Sequence, residues 1–171
     1  QRQMCIRDSL EATGRDASRL RELYESRMAD WMRPAIESTT KFDKGIMQTD
    51  AQWKGIQMPG YWEQSALPGF DGVVWLQKSI DIPAEEAGKS LTLRFRAIDD
   101  EDETYFNGEL VAKGSGYDTP REYTVPGKLV RAGENVITIK VSDFGGEGGI
   151  APGVAEAVGS DSKISLAGEW R

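Results

Sequence analysis

The stretch Leu91–Gly108, LTLRFRAIDDEDETYFNG, decides the fold that this sequence predicts. Apolar residues alternate with polar ones from Leu91 to Ala97, which is the period of a strand with one buried face. Five acidic residues follow at 99–103, and the pair Asn107-Gly108 then suits the positive φ angles of a tight hairpin. We therefore predict a core strand that opens into an acidic loop and returns through a hairpin, an arrangement suited to a binding site.

Further strands are predicted from the same alternation of apolar and polar residues and from the turn residues between them. They cover residues 74–82, 103–106, 109–112, 121–125, 136–142 and 163–166. Strands about ten residues apart with turn residues between them are typical of an antiparallel sandwich. We predict a mostly β chain, folded as an antiparallel β-sandwich with an N-terminal helical segment.

The first third of the chain has a different pattern. Apolar residues from Leu20 to Trp31 fall on one helical stripe, which Asp16 can cap and Pro34 interrupts. Residues 53–70 carry several aromatic residues, and their Pro and Gly residues argue against regular structure. We divide the chain into residues 1–9, a helical connector at 10–50 and a β-sandwich domain at 51–171.

Residues 1–9, QRQMCIRDS, can be spelled with the codons of a transposase-type sequencing adapter. We expect them to be an artefact and exclude them from the fold, as is done for other sequence scars. The chain is then expected to be a fragment of a longer protein. Any export signal would lie upstream.

Composition excludes several classes of function. The chain has 171 residues, with 21 Lys and Arg against 28 Asp and Glu, and no run of basic residues, so neither nucleic acid nor an anionic membrane is an expected partner. It has no histidine, which excludes a Ser-His-Asp site or a histidine-ligated metal within the chain. Its single cysteine, Cys5, cannot form an internal disulfide. We expect no cofactor.

The acidic cluster is the first candidate site. Asp99, Asp100 and Asp102 offer hard oxygen ligands to calcium, but the spacing of an EF-hand is missing, and a solvated loop explains them equally simply. A glycosidase would need two carboxyl groups about 5–9 Å apart, for which Asp102 and Glu147 are the candidates. The sequence supports both the calcium site and the glycosidase pair less well than a purely structural role for these acidic residues.

Arg121 and several aromatic residues form a second group of candidates. Arg121 could pair with the acidic loop or bind the carboxylate of an acidic sugar through its planar fork. Trp62, in the aromatic stretch 53–70, is either part of a hydrophobic plug or a sugar-stacking platform. Trp75 is either buried or an exposed stacking surface. The glycine-rich loop DFGGEGG, which contains Asp143 and Glu147, is expected to approach the acidic loop closely.

These segments together resemble a known family. The sandwich domain inserted in bacterial sialate O-acetylesterases has similar elements in the same order: Trp53 with PGYWE (59–63), FDGVVWLQKSIDIP (70–83), IDDEDETYFNG (98–108), REYTVP (121–126), LVRAGENVITIKVSDFGGEGG (129–149) and LAGEW (166–170). A weaker likeness is to the sugar-binding sandwich of β-galactosidase-type glycoside hydrolases, through YFNG-EL and AGENVI.

The esterase resemblance implies a galactose-binding-like jelly roll within a carbohydrate esterase that removes O-acetyl groups from sialic acid or other glycans. It implies that the parent's hydrolase domain is the partner, that this domain carries the catalytic residues, and that the parent is periplasmic or extracellular. The sandwich would then be non-catalytic and would line the substrate cleft with Asp100, Asp102, Arg121, Asp143 and Glu147. The alternatives are a stand-alone carbohydrate-binding module and a sandwich without a ligand.

Overall fold

The structure, a computed structural model, describes residues 53–171 together with positions 19 and 26. By its internal contacts the chain divides into two units, residues 1–40 and 41–171. Arg19 and Ser26 are helical, and the rest of the predicted helix lies outside the described residues. No helix in the described part is long and apolar enough to cross a membrane.

The described residues form thirteen strands, numbered in chain order. They are β1 Ile56–Met58, β2 Gly60–Tyr61, β3 Gly72–Ile82, β4 Leu91–Phe95, β5 Ile98–Asp99, β6 Glu101–Phe106, β7 Glu109–Ser115, β8 Arg121–Val125, β9 Gly133–Asp143, β10 Gly149–Ile150, β11 Ala155–Val158, β12 Lys163–Ser165 and β13 Gly168–Trp170. Three short 3₁₀ helices occur at Trp62–Gln64, Ala84–Glu86 and Gly127–Leu129.

Two four-stranded antiparallel sheets form the sandwich. The first has the order β3-β9-β6-β7 and the second has the order β12-β11-β4-β8. A small sheet, β2-β10-β5, and the pair β1-β13 complete the strand pairing. The predicted fold class, a mostly β antiparallel sandwich, is confirmed.

The core lies between the two sheets, where the alternation predicts it. Leu91, Leu93 and Phe95 of β4 are at most 2% exposed, and Ile137 and Ile139 of β9 are fully buried. Full burial of side chains of this size stabilises the fold by about 1.5–3 kcal/mol each. The alternating residues of β4 and β9 are therefore a main source of cohesion between the two sheets.

The hairpin between β6 and β7 turns at Asn107-Gly108, as predicted. Asn107 has φ 50° and Gly108 has φ 86°, the left-handed conformations that this turn needs. The Asn107 side chain donates to Leu129 O and to Asn135 Oδ1, both at 2.8 Å. Its Oδ1 accepts from Val136 N, so the turn is anchored to the neighbouring strand β9.

The structure corrects two sequence predictions. Residues 53–70 contain regular structure, namely β1, β2 and a 3₁₀ turn, because these short segments pair with strands far along the chain. The acidic loop is also shorter than predicted. Strand β6 begins at Glu101, so Asp102 and Glu103 lie within a strand on opposite faces of the first sheet.

Candidate functional site at the acidic end of the sandwich

A buried ion pair connects the two sheets beneath the candidate site. Arg121 Nε, on β8, donates to Asp102 Oδ1, on β6, at 2.8 Å, and the two side chains are 3% and 0% exposed. Thr104 donates to Asp102 Oδ2 at 2.8 Å, and the Tyr123 hydroxyl lies within 2.8 and 3.0 Å of the two carboxylate oxygens. The carboxylate is thus surrounded by donors from both sheets.

The remaining N–H groups of Arg121 bind backbone carbonyls. Nη1 donates to Gly116 O at 3.1 Å and to Thr119 O at 2.6 Å. Nη2 donates to Ile98 O at 2.7 Å and to Asp100 O at 3.3 Å. Arg121 therefore positions two chain segments, 98–100 and 116–119, at the same end of the sandwich.

This arrangement changes the interpretation of two predicted site residues. All donors of Arg121 are satisfied within the protein, so its fork has none left for a sugar carboxylate. Asp102 is enclosed by Arg121, Thr104 and Tyr123, which removes it from the calcium candidates and from the pair proposed with Glu147. Both residues have a structural position in this fold.

Above the ion pair lies a cluster of carboxyl groups that we call the acidic end: Glu63, Asp99, Asp100, Asp143 and Glu147. Three separate parts of the chain bring them together. The small sheet pairs Gly149 with both Tyr61 and Asp99, so its strands carry these segments to one place. Asp100 Oδ2 accepts from Phe144 N at 2.9 Å, which joins the acidic loop to the glycine-rich loop.

Asp143 is the most enclosed member of the acidic end. Its side chain is fully buried, Oδ1 accepts from Gly145 N at 2.8 Å, and Oδ2 has no hydrogen-bond partner among residues 53–171. The pKa of Asp143 is raised to about 6: burial is the main cause, the negative charges of Asp71 and Glu63 contribute, and the Gly145 N–H opposes the change. A buried carboxylate oxygen without a donor is uncommon in folded proteins.

Asp99 and Glu63 differ in the state of their carboxyl groups: Asp99 has a raised pKa, and Glu63 has an oxygen without a hydrogen-bond partner within the described residues. Burial raises the pKa of Asp99 well above its usual range, and a hydrogen bond with Asp100 adds to the effect. Glu63 Oε2 accepts from Gly148 N at 3.0 Å, whereas its buried Oε1 has no partner within the described residues. Within residues 53–171, the acidic end thus contains two buried carboxylate oxygens without a hydrogen-bond partner, close to a carboxyl group that tends to hold its proton.

Trp62, which precedes Glu63, packs in the interior against the glycine-rich loop of the acidic end. Trp62 is fully buried and donates from Nε1 to Phe70 O at 3.0 Å, so its ring is not available for stacking on a sugar. Gly148 lies against Trp62 so closely that a side chain at this position would meet the indole ring and Asp143 Oδ2. The expected close approach of the glycine-rich loop to the acidic loop is present at Gly149, which pairs with Asp99, and at Phe144, whose N–H donates to Asp100 Oδ2.

The rim of the acidic end is more exposed. Glu147 is exposed and accepts from Gln64 Nε2 at 2.9 Å. Burial raises the pKa of Tyr61, the charges of Glu147 and Asp99 add to this, and Arg96 opposes it. Tyr117, which is 65% exposed, lies in the segment that Arg121 positions. Aromatic and acidic groups therefore share this rim.

The structure gives no support to a calcium site. Among the described residues, no group of three or more acidic or cysteine side chains is placed to hold a metal ion. Asp102 points to Arg121, while Asp100 binds the amide of Phe144. The three candidate ligands, including Asp99, therefore do not converge.

Sequence analysis did not select Glu63 as a site residue, and it considered Tyr61 only as one of the aromatic residues of the stretch 53–70, either a hydrophobic lid or a sugar-stacking platform. They lie in a stretch for which no regular structure was predicted, and their proximity to Asp99 and Asp143 depends on the small sheet β2-β10-β5. The only local signal was the run Tyr61-Trp62-Glu63, which places an acid beside two aromatic residues. That signal could not predict contacts between residues more than 80 positions apart in the chain, such as the one between Glu63 and Gly148.

Comparisons with known proteins identify the family. The model described as glycosyl hydrolases family 2, sugar binding domain, matches residues 24–151. No curated protein matches the chain. The match overturns the resemblance to sialate O-acetylesterases and agrees with the weaker likeness to glycoside hydrolases. The predictions of an esterase parent and of O-acetyl hydrolysis are therefore wrong, whereas a carbohydrate-binding sandwich is supported.

Solved structures of larger enzymes contain a similar sandwich. The β-D-glucuronidase of Dictyoglomus thermophilum is 30% identical, with a TM-score of 0.51 over 56% of this chain and 17% of that one. The β-glucuronidase of Faecalibacterium prausnitzii is 29% identical, with a TM-score of 0.51 over 60% and 18%. A family 2 glycosyl hydrolase from Bacteroides cellulosilyticus DSM 14838 is 28% identical, with a TM-score of 0.53 over 61% and 16%. The match spans about a sixth of the length of these proteins.

Proposed function

Because this chain belongs to the glycosyl hydrolases family 2, sugar binding domain, we propose that it serves a larger glycoside hydrolase and that the acidic end contacts the sugar. The similar structures are named β-glucuronidases, so a β-glucuronide or a related β-glycoside is the substrate class that we propose for the parent. The partners would be the glycan and the remaining domains of the parent chain.

The observation that carries this proposal is the unpaired oxygen of Asp143. A buried carboxylate oxygen without a donor costs about 1–3 kcal/mol relative to a paired one, and a sugar hydroxyl is a suitable donor. Glu63 Oε1 lies in the same cluster and also has no partner in the described part of the chain. Both oxygens are buried in the structure, so in this proposal the exposed residues 145–147 of the glycine-rich loop move aside to admit two hydroxyl groups of a pyranose.

The raised pKa of Asp99 adds a complementary group. A carboxyl group that keeps its proton near neutral pH donates a hydrogen bond, in contrast to an ionised one, which only accepts. Within the acidic end this proton is shared with Asp100, so the Asp99–Asp100 pair lowers the negative charge beside the acceptors of Asp143 and Glu63. Sugar hydroxyls can donate to those two acceptors.

We assign bond cleavage to residues of the parent outside the described sandwich. Glycoside hydrolysis uses a pair of carboxyl groups that reach the scissile bond. Asp102 cannot be one of them because it is enclosed beneath the acidic end. In our proposal the sandwich holds and orients the sugar while the other domains perform the chemistry.

The test starts from the complete gene, recovered from overlapping reads, and from the purified enzyme. We expect the enzyme to cleave at least one of three chromogenic substrates: p-nitrophenyl β-D-glucuronide, p-nitrophenyl β-D-galactoside or p-nitrophenyl β-D-mannoside. Asp143→Asn should raise KM for that substrate roughly tenfold or more, since a charged acceptor becomes a neutral amide. Glu122→Gln, an exposed carboxyl on β8, is the matched control. Equal KM values for wild type and Asp143→Asn would refute the role of the acidic end.

A further inference from the structure

Arg96 is a basic residue near the acidic end that has no carboxylate partner among residues 53–171. It directly follows strand β4, and its side chain is exposed. Its Nη1 donates to Asp118 O at 2.9 Å, which is the hydrogen bond that its side chain makes within the described part of the chain. The Nε–H and Nη2–H groups, which point to the same side of the planar guanidinium, therefore remain available to a ligand.

Contacts at both ends of the side chain hold Arg96 in place. Gly153 packs against its aliphatic stem so closely that a Cβ at this glycine would lie 3.0 Å from Arg96 Cβ and 3.2 Å from Cγ. Asp118, whose carbonyl oxygen binds the guanidinium, lies in the segment 116–119, and Arg121 binds a carbonyl oxygen at each end of that segment. The buried arginine thus positions the exposed one. A guanidinium held in this way loses less conformational freedom when it binds a ligand.

The guanidinium lies within electrostatic range of the small sheet that forms one side of the acidic end. Burial raises the pKa of Tyr61, the negative charges of Glu147 and Asp99 add to this, and the positive charge of Arg96 opposes it. Tyr61 and Asp99 both pair with Gly149 in the small sheet. Because its charge acts on the Tyr61 hydroxyl, Arg96 belongs to the same rim as Tyr61 and Glu147.

Two exposed apolar side chains belong to the segments that hold Arg96. Tyr117 precedes Asp118 and is 65% exposed. Val154 is 51% exposed, and its carbonyl oxygen accepts the backbone N–H of Arg96 at 2.7 Å. A saccharide presents apolar C–H groups beside its polar substituents, so it suits a surface that combines apolar side chains with a fixed charge.

We propose that Arg96 determines the specificity of the acidic end by binding the carboxylate of a uronic acid. Its Nε–H and Nη2–H would donate to the two carboxylate oxygens, which is the paired geometry that arginine forms with carboxylates. The inference rests on the proposed function, because Asp143 and Glu63 would hold hydroxyl groups of the same sugar ring. The substrate class of the site would then be β-glycosides of uronic acids.

The charge of the acidic end explains why such a ligand needs Arg96. A carboxylate that approaches several carboxyl groups is repelled unless a positive charge offsets them. Arg121 cannot supply this charge to a ligand, since all its N–H groups bind acceptors within the protein. The sugar-carboxylate role that the sequence suggested for Arg121 is thus transferred to a second arginine, which Arg121 holds in position.

The test is an NMR titration of the 171-residue chain, labelled with ¹⁵N, against methyl β-D-glucuronide and methyl β-D-glucopyranoside. These two sugars differ only at carbon 6, which is a carboxylate in the first and a hydroxymethyl group in the second. We expect the glucuronide to bind roughly tenfold more tightly, because its contact with Arg96 is charge-assisted. Saturable shifts should appear at the Arg96 Nε–H and at the amides of residues 96, 117–119 and 153–154.

One variant and a matched control decide the role of the charge. Arg96→Gln should weaken binding of the glucuronide roughly tenfold and leave binding of the glucoside unchanged. Arg94→Gln is the control, since Arg94 is an exposed arginine two residues earlier that pairs with Glu122 at 3.2 Å. It should change neither affinity.

Salt dependence gives a second readout that needs no variant. At about 1 M salt the preference of the wild-type chain for the glucuronide should largely disappear, because an exposed charge pair is screened. Far-UV circular dichroism identifies a variant that fails to fold, and the salt dependence then decides alone.

Three results would overturn the inference. They are equal affinities of the wild-type chain for the two sugars, an unchanged affinity of Arg96→Gln for the glucuronide, and the absence of a saturable shift. A carboxylate from another domain of the parent would then be the better candidate partner of Arg96. Asp143→Asn keeps this outcome distinct from failure of the proposed function, since it should weaken both sugars alike. If Asp143→Asn changes neither affinity, the role of the acidic end itself is refuted.

Discussion

Arg121 and Asp102 join the two sheets of the sandwich through a 2.8 Å ion pair from which solvent is almost entirely excluded. Attraction between two buried charges offsets their loss of hydration only when the geometry is good and the remaining polar atoms are paired. Both conditions hold here, since Arg121 also binds four carbonyl oxygens and Asp102 accepts from Thr104 and Tyr123.

Removal of one partner of this pair should strongly destabilise the domain. We expect Arg121→Met to lower the free energy of unfolding by about 3–5 kcal/mol, because it leaves a buried carboxylate without its counter-ion. Urea unfolding followed by circular dichroism measures the change. The double variant Arg121→Met with Asp102→Leu should lose less than the sum of the two single losses. A loss below about 1 kcal/mol for Arg121→Met would contradict a stabilising pair.

Gly114 provides a second test of the same network. An alanine at this position would place its Cβ closer to Tyr123 Oη, Arg121 Nε and Asp102 Oδ1 than real Cβ atoms approach other groups. We expect Gly114→Ala to cost about 1–3 kcal/mol through overpacking, measured by thermal unfolding. Gly55→Ala is the control, since its Cβ would meet only the end of the exposed side chain of Glu169. Equal unfolding temperatures for the two variants would show that the side chains around Gly114 rearrange to accommodate the added methyl group.

The pH dependence of stability should carry the signature of Asp143. Its folded pKa of about 6 lies above the ordinary value of 3.8, so the folded state binds the proton more tightly than the unfolded state. The contribution of this group to stability is therefore complete below about pH 4 and is lost as the pH rises through about 6. We expect Asp143→Asn to flatten the decline of the unfolding temperature between pH 4 and 7. Parallel profiles for wild type and variant would exclude the raised pKa.

Glu86 should have the opposite pH signature. Its carboxylate accepts from Asp161 N at 2.7 Å and from Ser160 N at 3.2 Å, and the bond from Asp161 is the main reason that the pKa of Glu86 is lowered. The stabilisation is present above the ordinary pKa of 4.5 and is lost as the pH falls through the lower folded value. Glu86→Gln should speed hydrogen exchange at the amides of residues 160 and 161 at neutral pH. Glu85→Gln, at an exposed position, should not.

Sequence patterns predicted the long strands well because their evidence is local. Strands β4, β8 and β9 alternate apolar and polar residues, and the structure buries their apolar faces. Strand β11, by contrast, was not predicted, since its buried residues are Ala155 and Ala157, which give a weak apolar signal. Strands β1, β2, β10 and β13 have two or three residues each and depend on distant partners.

The acidic cluster illustrates a different limit. Five consecutive acidic residues suggest a solvated loop, and this composition hid the start of β6 at Glu101 and the burial of Asp102, whose side chain faces the interior with those of Thr104 and Phe106. The sequence analysis offered Arg121 as a partner for the acidic loop, but it did not show that Arg121, 19 residues away on another sheet, pairs with Asp102 in the interior. The site itself depends on Tyr61–Glu63, which only tertiary pairing brings to Asp99 and Asp143.

The mistaken family assignment has a structural explanation. The elements YFNG and AGENVI contain Asn107 and Asn135, whose side chains fix a hairpin turn and the loop at residues 131–133. Such residues determine the conformation of turns in a sandwich, and both resemblances in the sequence analysis included them. The elements therefore predicted the fold correctly without discriminating between an esterase and a glycosidase.

Arg121 holds the segments at the acidic end through the carbonyl oxygens of Ile98, Asp100, Gly116 and Thr119. A carbonyl oxygen is supplied by every amino acid, so these anchors do not depend on which side chains the segments carry. A replacement on the outward side of either segment therefore leaves these hydrogen bonds in place. One buried residue thus fixes the backbone of this end independently of the side chains that the two segments carry.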